Sequence, residues 1–136
     1  MRMGEKHRTR ELRSLTESDG FSIAKLDSPP RLYVFLKSLD QAEADRYGQA
    51  LRELSEEAAS SVVIIDCFEL ELQSRDLSLQ KARDALVEAG VRNIYRVGPF
   101  ENLCKVIKSL EYESRYNAYF TLSYGELNNL LRLLNR

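Results

Sequence analysis

The sequence predicts an α/β fold: a single mixed, mostly parallel five-stranded sheet with about four helices, in the order β-β-α-β-α-β-α-β-α. Three observations carry this reading. Ser61-Val62-Val63-Ile64-Ile65-Asp66-Cys67-Phe68 is the most apolar run in the chain and is rich in β-branched residues. It is too short for a membrane span, and polar segments flank it, so it reads as a strand buried on both faces. After it, strand-like runs alternate with single amphipathic helices, and right-handed crossovers then place those strands parallel in one sheet. Before it, two strand-like runs are separated by a loop too short for a crossover, which makes them an antiparallel hairpin.

The elements follow in order. Residues 1–19 are polar and charged with only Leu12 and Leu15 as anchors, and they read as an N-terminal arm, flexible or weakly docked as a short helix. The domain is then 20–136. Phe21, Ile23 and Leu26 mark the first strand, Ser28-Pro29-Pro30 the break, and Leu32-Tyr33-Val34-Phe35-Leu36 the second strand. Asp40-x-x-Glu43 has the form of a capping box, and Tyr47, Leu51, Leu54 and Ala58 fall on one helical stripe. Glu43, Asp45, Arg46, Arg52, Glu53 and Glu56 are expected on the opposite, solvated side. After the central strand and the polar link Glu69–Asp76, a helix from about Leu77 to Ala89 has Leu79, Ala82, Leu86 and Ala89 on one side and stops at Gly90. Val91 to Val97 is the fourth strand. Gly98-Pro99 opens a helix whose stripe is Leu103, Val106, Ile107 and Leu110. Tyr116 to Leu122 is the last strand. Ser123-Tyr124-Gly125-Glu126 is a capping box for a final helix burying Leu127, Leu130, Leu131 and Leu134.

Composition bounds the function. The chain has 136 residues, 43% hydrophobic and 30% charged, with a net charge of −1, which is ordinary for a globular domain and gives no general pull toward nucleic acid or membrane. The charge is uneven: residues 1–14 hold five basic side chains against two acidic, and residues 40–76 hold ten acidic against three basic. No secretory leader is visible and the two cysteines, Cys67 and Cys104, form no Cys-x-x-Cys pair, so a reducing, cytoplasmic setting is expected with both thiols acting as small core hydrophobes. His7 is the single histidine, which removes His-based metal sites and argues against a catalytic triad. No metal, cofactor or membrane partner is expected.

Asp66 is the one residue placed where open α/β sheets act, at the carboxyl end of the central strand. An enzyme or phospho-receiver would use it there. A receiver also needs an acid pair after its first strand and a lysine after its last, and the chain has Ser28-Pro29-Pro30 and Thr121-Leu122-Ser123 at those places. No Gly-x-Gly-x-x-Gly or phosphate loop occurs. The simpler expectation is a strand-end carboxylate bonded to local backbone amides. A nucleic-acid surface would have to use the basic arm with Arg92, Arg96, Lys105 and Lys108, with no aromatic-interleaved basic stripe to support it. Tyr95, Tyr112, Tyr116, Tyr119 and Tyr124 cluster late in the chain. They read as the outer face of the last strands and the helix boundaries, or as a dimer or partner surface.

The opening hairpin, Leu39-Asp40-x-x-x-Ala44-Asp45, the Val62-Val63-Ile64-Ile65-Asp66 strand and the Ala89-Gly90-Val91 turn together resemble the STAS domain of anti-sigma-factor antagonists and related bacterial signalling proteins, over roughly residues 20–136. The resemblance implies a non-catalytic regulatory module that binds a protein partner of kinase-like or sigma-regulator type. In that family an Asp-Ser-Ser/Thr-Gly-like loop after the central strand is phosphorylated by the partner. The matching stretch is Ser74-Arg75-Asp76-Leu77, so Arg75 stands at the phosphoacceptor position and Leu77 replaces the glycine. The standard phosphoserine switch is therefore not expected. Ser74 and Ser78 are the shifted acceptor candidates, with Ser74 or Asp76 as a simple helix N-cap the competing reading. The implied partner surface is the loop Glu69–Ser78 beside the acidic helix, with Glu71, Ser74, Arg75 and Asp76 at its centre.

Overall fold

The computed structural model describes residues 12–71, 78–110 and 114–134. The elements are β1 (Arg13–Glu17), β2 (Phe21–Leu26), β3 (Arg31–Leu36), α1 (Gln41–Glu53), α2 (Ser55–Ala59), β4 (Val62–Asp66), α3 (Ser78–Glu88), β5 (Asn93–Val97), α4 (Phe100–Leu110), β6 (Asn117–Thr121) and α5 (Tyr124–Leu134). They build one α/β layer structure on a single mixed sheet ordered β1-β2-β3-β4-β5-β6.

Two expectations are corrected. Among the described residues the sheet has six strands rather than five, because Arg13–Glu17, within the polar arm, pairs antiparallel with β2. Leu15 alone supplies a half-buried apolar side chain there, so the segment carries almost no alternation and is held by backbone pairing and by the Arg13–Asp27 ion pair at 2.9 Å. The sheet is also not mostly parallel: β1–β2 and β2–β3 are antiparallel, while β3–β4, β4–β5 and β5–β6 are parallel. The helix read as continuous over 40–58 is two, since the chain turns at Leu54, which gives five helices among the described residues.

The central strand is buried on both sides as its apolarity requires. Val63 and Ile65 face a layer of helices, and Ile64 faces the opposite way; their exposures are 0%, 4% and 0%. The large core joins Phe21, Ile23, Leu32, Val34, Val63 and Ile65 of the sheet to Tyr47 and Leu51 of α1, Leu79 and Leu86 of α3, and Leu103 and Val106 of α4. A smaller core on the other face joins Ile64, Tyr95 and Val97 to Leu127 and Leu131 of α5. Helix ends follow local chemistry. The Asp40 side chain accepts from the N–H of Glu43 at 2.8 Å and caps α1. Gly90, at φ 102°, ends α3 in a Schellman motif: Gly90 N–H donates to Val87 O and Val91 N–H to Leu86 O, with Val91 packed into the core.

Glu43 is corrected as well. It is 4% exposed, not on the solvated side of α1. The Ser18 hydroxyl reaches both its oxygens, at 2.7 and 2.8 Å, the Gly20 N–H donates to Oε1, and Arg46 Nε donates to Oε2 at 2.5 Å. The β1–β2 turn closes over the first turn of α1, and the carboxylate is what fastens it.

Candidate functional site

Four parallel strands, β3 to β6, end at one edge of the sheet, and their following loops lie side by side. Backbone bonds lace the loops together: Glu71 N–H to Lys37 O at 2.7 Å, Cys67 N–H to Val97 O at 2.7 Å and Gly98 N–H to Thr121 O at 3.1 Å. The Asn102 amide, in the first turn of α4, donates to Cys67 O at 2.7 Å and so ties that helix to the loop after β4. Gly98 permits this approach: a Cβ there would meet the Cys67 carbonyl carbon at 3.0 Å and its Cβ at 3.1 Å. The rim is therefore a built edge, with Cys67 and Leu70 buried beneath it.

Asp66 sits at its centre. Oδ1 accepts from Phe68 N–H at 2.9 Å and Oδ2 from the Tyr124 hydroxyl at 2.5 Å. The backbone half of this agrees with the simple strand-end reading; the phenol is an addition. Burial first, then the bond to Asp66, pushes the Tyr124 phenol well above the usual tyrosine range. Tyr124 stacks on Phe68 with ring centroids 6.0 Å apart and tilts against Tyr33 at 6.4 Å, and Tyr33 stacks on Phe35 at 6.2 Å. An aromatic row thus runs from β3 to the start of α5 around one carboxylate. Both oxygens of that carboxylate already accept, which suits a structural role better than attack on a substrate.

Three large apolar side chains stand on consecutive rim loops and face water: Phe68 at 40% exposure, Phe100 at 70% and Leu122 at 50%. Glu69, Glu71, Glu101 and Glu126 are exposed beside them. Among the described residues, no group of three His, Cys, Asp or Glu is placed to hold a metal ion, and no helix is long and apolar enough to cross a membrane.

Of the residues expected from sequence, Glu71 lies on this rim, exposed, paired across to Ser38 in a single parallel bridge. Ser78 is the first residue of α3. Ser74, Arg75 and Asp76 lie outside the described residues. Arg96, grouped by sequence with the basic surface candidates Arg92, Lys105 and Lys108, is 3% exposed. Strand alternation places it with Ile94 on the helix-covered face, and Tyr116 and Phe120 hold its guanidinium at 5.7 Å from each ring centroid. The thiol of Cys67 is fully buried and burial pushes it up to about 12, whereas Cys104 is only half-buried. Tyr95 stacks on Tyr119 at 4.7 Å across β5 and β6, and Tyr112 is outside the described residues.

Sequence reasoning missed Phe68, Phe100 and Tyr124 as rim residues. Phe100 stands three positions before Leu103, so periodicity assigns it to the buried stripe of α4, although at the first helical position it projects past the sheet edge. The signal that would have found it is its place directly after Gly98-Pro99 at a strand end. No family model, curated protein or solved structure matches this chain.

Proposed function

We propose that this chain is a non-catalytic signalling module, STAS-like in its order of elements, that binds a protein partner through the carboxyl rim of its parallel strands and works without the standard phosphoserine switch. The observation that carries the reading is the exposure of Phe68, Phe100 and Leu122 on three neighbouring loops. Large apolar side chains grouped on a rigid edge mark a surface that another macromolecule covers. The hairpin followed by parallel strands, the rim location of Glu71, and the position of Ser78 at a helix start beside the rim all favour the same assignment. The partner would be of kinase-like or sigma-regulator type. A phosphoryl group on Ser74 or Ser78 would be accepted by the amino end of α3.

The alternative, an enzyme or receiver using Asp66, is less favoured because Tyr124 and the Phe68 amide already occupy that carboxylate. The test is affinity capture from the native host with three baits: wild type, Phe100→Asp, and Asn128→Asp on the exposed side of α5. Proteins held by wild type and Asn128→Asp but lost from Phe100→Asp support the rim. If all three baits hold the same set, the rim is not the docking surface.

A further inference from the structure

Beneath the rim lies a small, partly open cavity between the sheet and the helix layer. Around it stand Leu36 and Cys67 of the sheet, Tyr47 of α1, Arg83 of α3, Leu110 of α4 and Arg96 of β5. Its volume of about 10 Å³, measured to the centre of a water-sized sphere, admits one monatomic or water-sized occupant.

The unmet polar group on this wall belongs to Arg96. Arg96 Nη1 is fully buried and has no hydrogen-bond partner among the described residues. The aromatic rings of Tyr116 and Phe120 offset part of its charge but give Nη1 no acceptor oxygen. Arg83 is a second buried guanidinium, but its charge is met: Nη1 donates to Leu110 O at 2.7 Å, and Nε and Nη2 donate to Asp84 Oδ1 at 3.2 Å each. Tyr47 and Cys67 remain protonated, burial having pushed both upward, so neither brings negative charge to the cavity. Among the described residues, no carboxylate lines the cavity. A buried guanidinium nitrogen without an acceptor carries a desolvation penalty, and the unmet Arg96 Nη1 beside a space for one small sphere favours an occupant that accepts from it.

We propose that this cavity is a specific binding site for one small monovalent anion, a halide such as chloride, held by Arg96 Nη1 and the Tyr47 hydroxyl. Bound there, the anion joins α1 to β5 directly below the loops of the rim. Size excludes sulfate, phosphate and carboxylates. The proposal is independent of the partner-binding reading.

The experiment is thermal unfolding of the full chain in sodium chloride, bromide and gluconate at equal ionic strength, for wild type, Arg96→Met and Tyr47→Phe. Arg96→Met reports the general salt effect, and the difference between proteins isolates the site. Wild type is expected to rise in Tm with the logarithm of chloride concentration above the dissociation constant, by roughly 5–10 °C at about 100 times that constant. Tyr47→Phe should respond more weakly, and Arg96→Met should give the same Tm increments in chloride as in gluconate. A second measurement covers the case in which Arg96→Met does not fold. Wild-type crystals soaked in bromide should show one anomalous peak within hydrogen-bond distance of Arg96 Nη1. Equal wild-type responses in chloride and gluconate, which is the result for a site that holds water, overturn the proposal. So does a chloride response retained in Arg96→Met, or bromide found only at the surface.

Discussion

The Tyr124 hydroxyl donates to Asp66 Oδ2 at 2.5 Å, joining the first residue of α5 to the last residue of the central strand. Tyr124→Phe keeps the ring that stacks on Phe68 and removes only this bond, so it should cost about 1–2 kcal/mol, read by urea unfolding. The phenol also carries a pH signature. Its folded pKa lies above the ordinary 10.0, so below pH 10 both folded and unfolded chains keep the proton and the stabilisation is complete. Above pH 10 the unfolded chain loses the proton first, and stability falls as pH rises toward the folded value. Tyr124→Phe should decline less steeply than wild type between pH 10 and pH 11. Parallel slopes would show that the phenol is not held as described.

Glu43 makes the opposite prediction at the acid end. The Ser18 hydroxyl above all, with the Gly20 N–H and Arg46, holds its carboxyl below the ordinary 4.5 despite the opposing push of burial. Above pH 4.5 both states are ionised and the full stabilisation is present. As pH drops through 4.5 toward the lower folded value the unfolded chain takes up the proton first, and the contribution is lost. Glu43→Gln should cost about 2 kcal/mol at pH 7 by removing charge-assisted bonds. The Tm gap between the two proteins should close between pH 5 and pH 3. A gap that is constant with pH would mean the cost is steric.

Two glycines should respond with opposite signs to the same substitution. A Cβ on Gly20 would stand 2.0 Å from the Ser38 carbonyl oxygen, a backbone atom that two hydrogen bonds into the Gly20 carbonyl hold close. Gly20→Ala should therefore destabilise by about 3 kcal/mol, because the β1–β2 turn must move away from α1. A Cβ on Gly48, inside α1, would meet only the end of Arg52 at 3.8 Å. Gly48→Ala should stabilise by about 0.5–1 kcal/mol through helix propensity. Chemical denaturation of both variants checks the pair.

The large elements were legible because burial and periodicity agree in them. Val63, Ile64 and Ile65 announce a doubly buried strand, and Leu103, Val106 and Leu110 a half-buried helix, with no tertiary information needed. What escaped was set by partners distant in sequence. β1 has no apolar alternation, so only its pairing with β2 defines it. Glu43 reads as a solvated acid until Ser18 and Gly20 are folded over it. Arg96 reads as a surface cation until strand alternation puts it between Tyr116, Phe120 and the helix layer. Asp66 was legible as a strand-end carboxylate but its phenolic partner, 58 residues on, was not. Charged residues reach the interior through satisfied bonds or through a ligand, and neither is written in local pattern.

The rim makes a prediction about stability as well as binding. Phe100 is 70% exposed, so Phe100→Asp removes little buried area and should change stability by no more than about 0.5 kcal/mol. An acid at the first position of α4 also sits well with the helix dipole. Loss of partner capture with unchanged Tm is therefore the expected combination. A drop of several degrees in Tm would show that the ring packs internally, and would remove it from the rim.

The two cores should fail separately. Leu127 is fully buried against Ile64, Tyr95 and Val97, and α5 is the one helix on that face among the described residues. Leu127→Ala should cost about 2–5 kcal/mol, whereas Leu133→Ala on the same helix, 60% exposed, should cost about 0.5 kcal/mol or less. Because α1, α3 and α4 pack on the opposite face, their backbone protection depends on a different set of contacts. In hydrogen exchange on Leu127→Ala, amides of α5 and of the β6 edge should lose protection first, and those of α3 should follow only with global unfolding. Equal loss across both faces would show that the sheet transmits the defect and that the two layers form one cooperative unit.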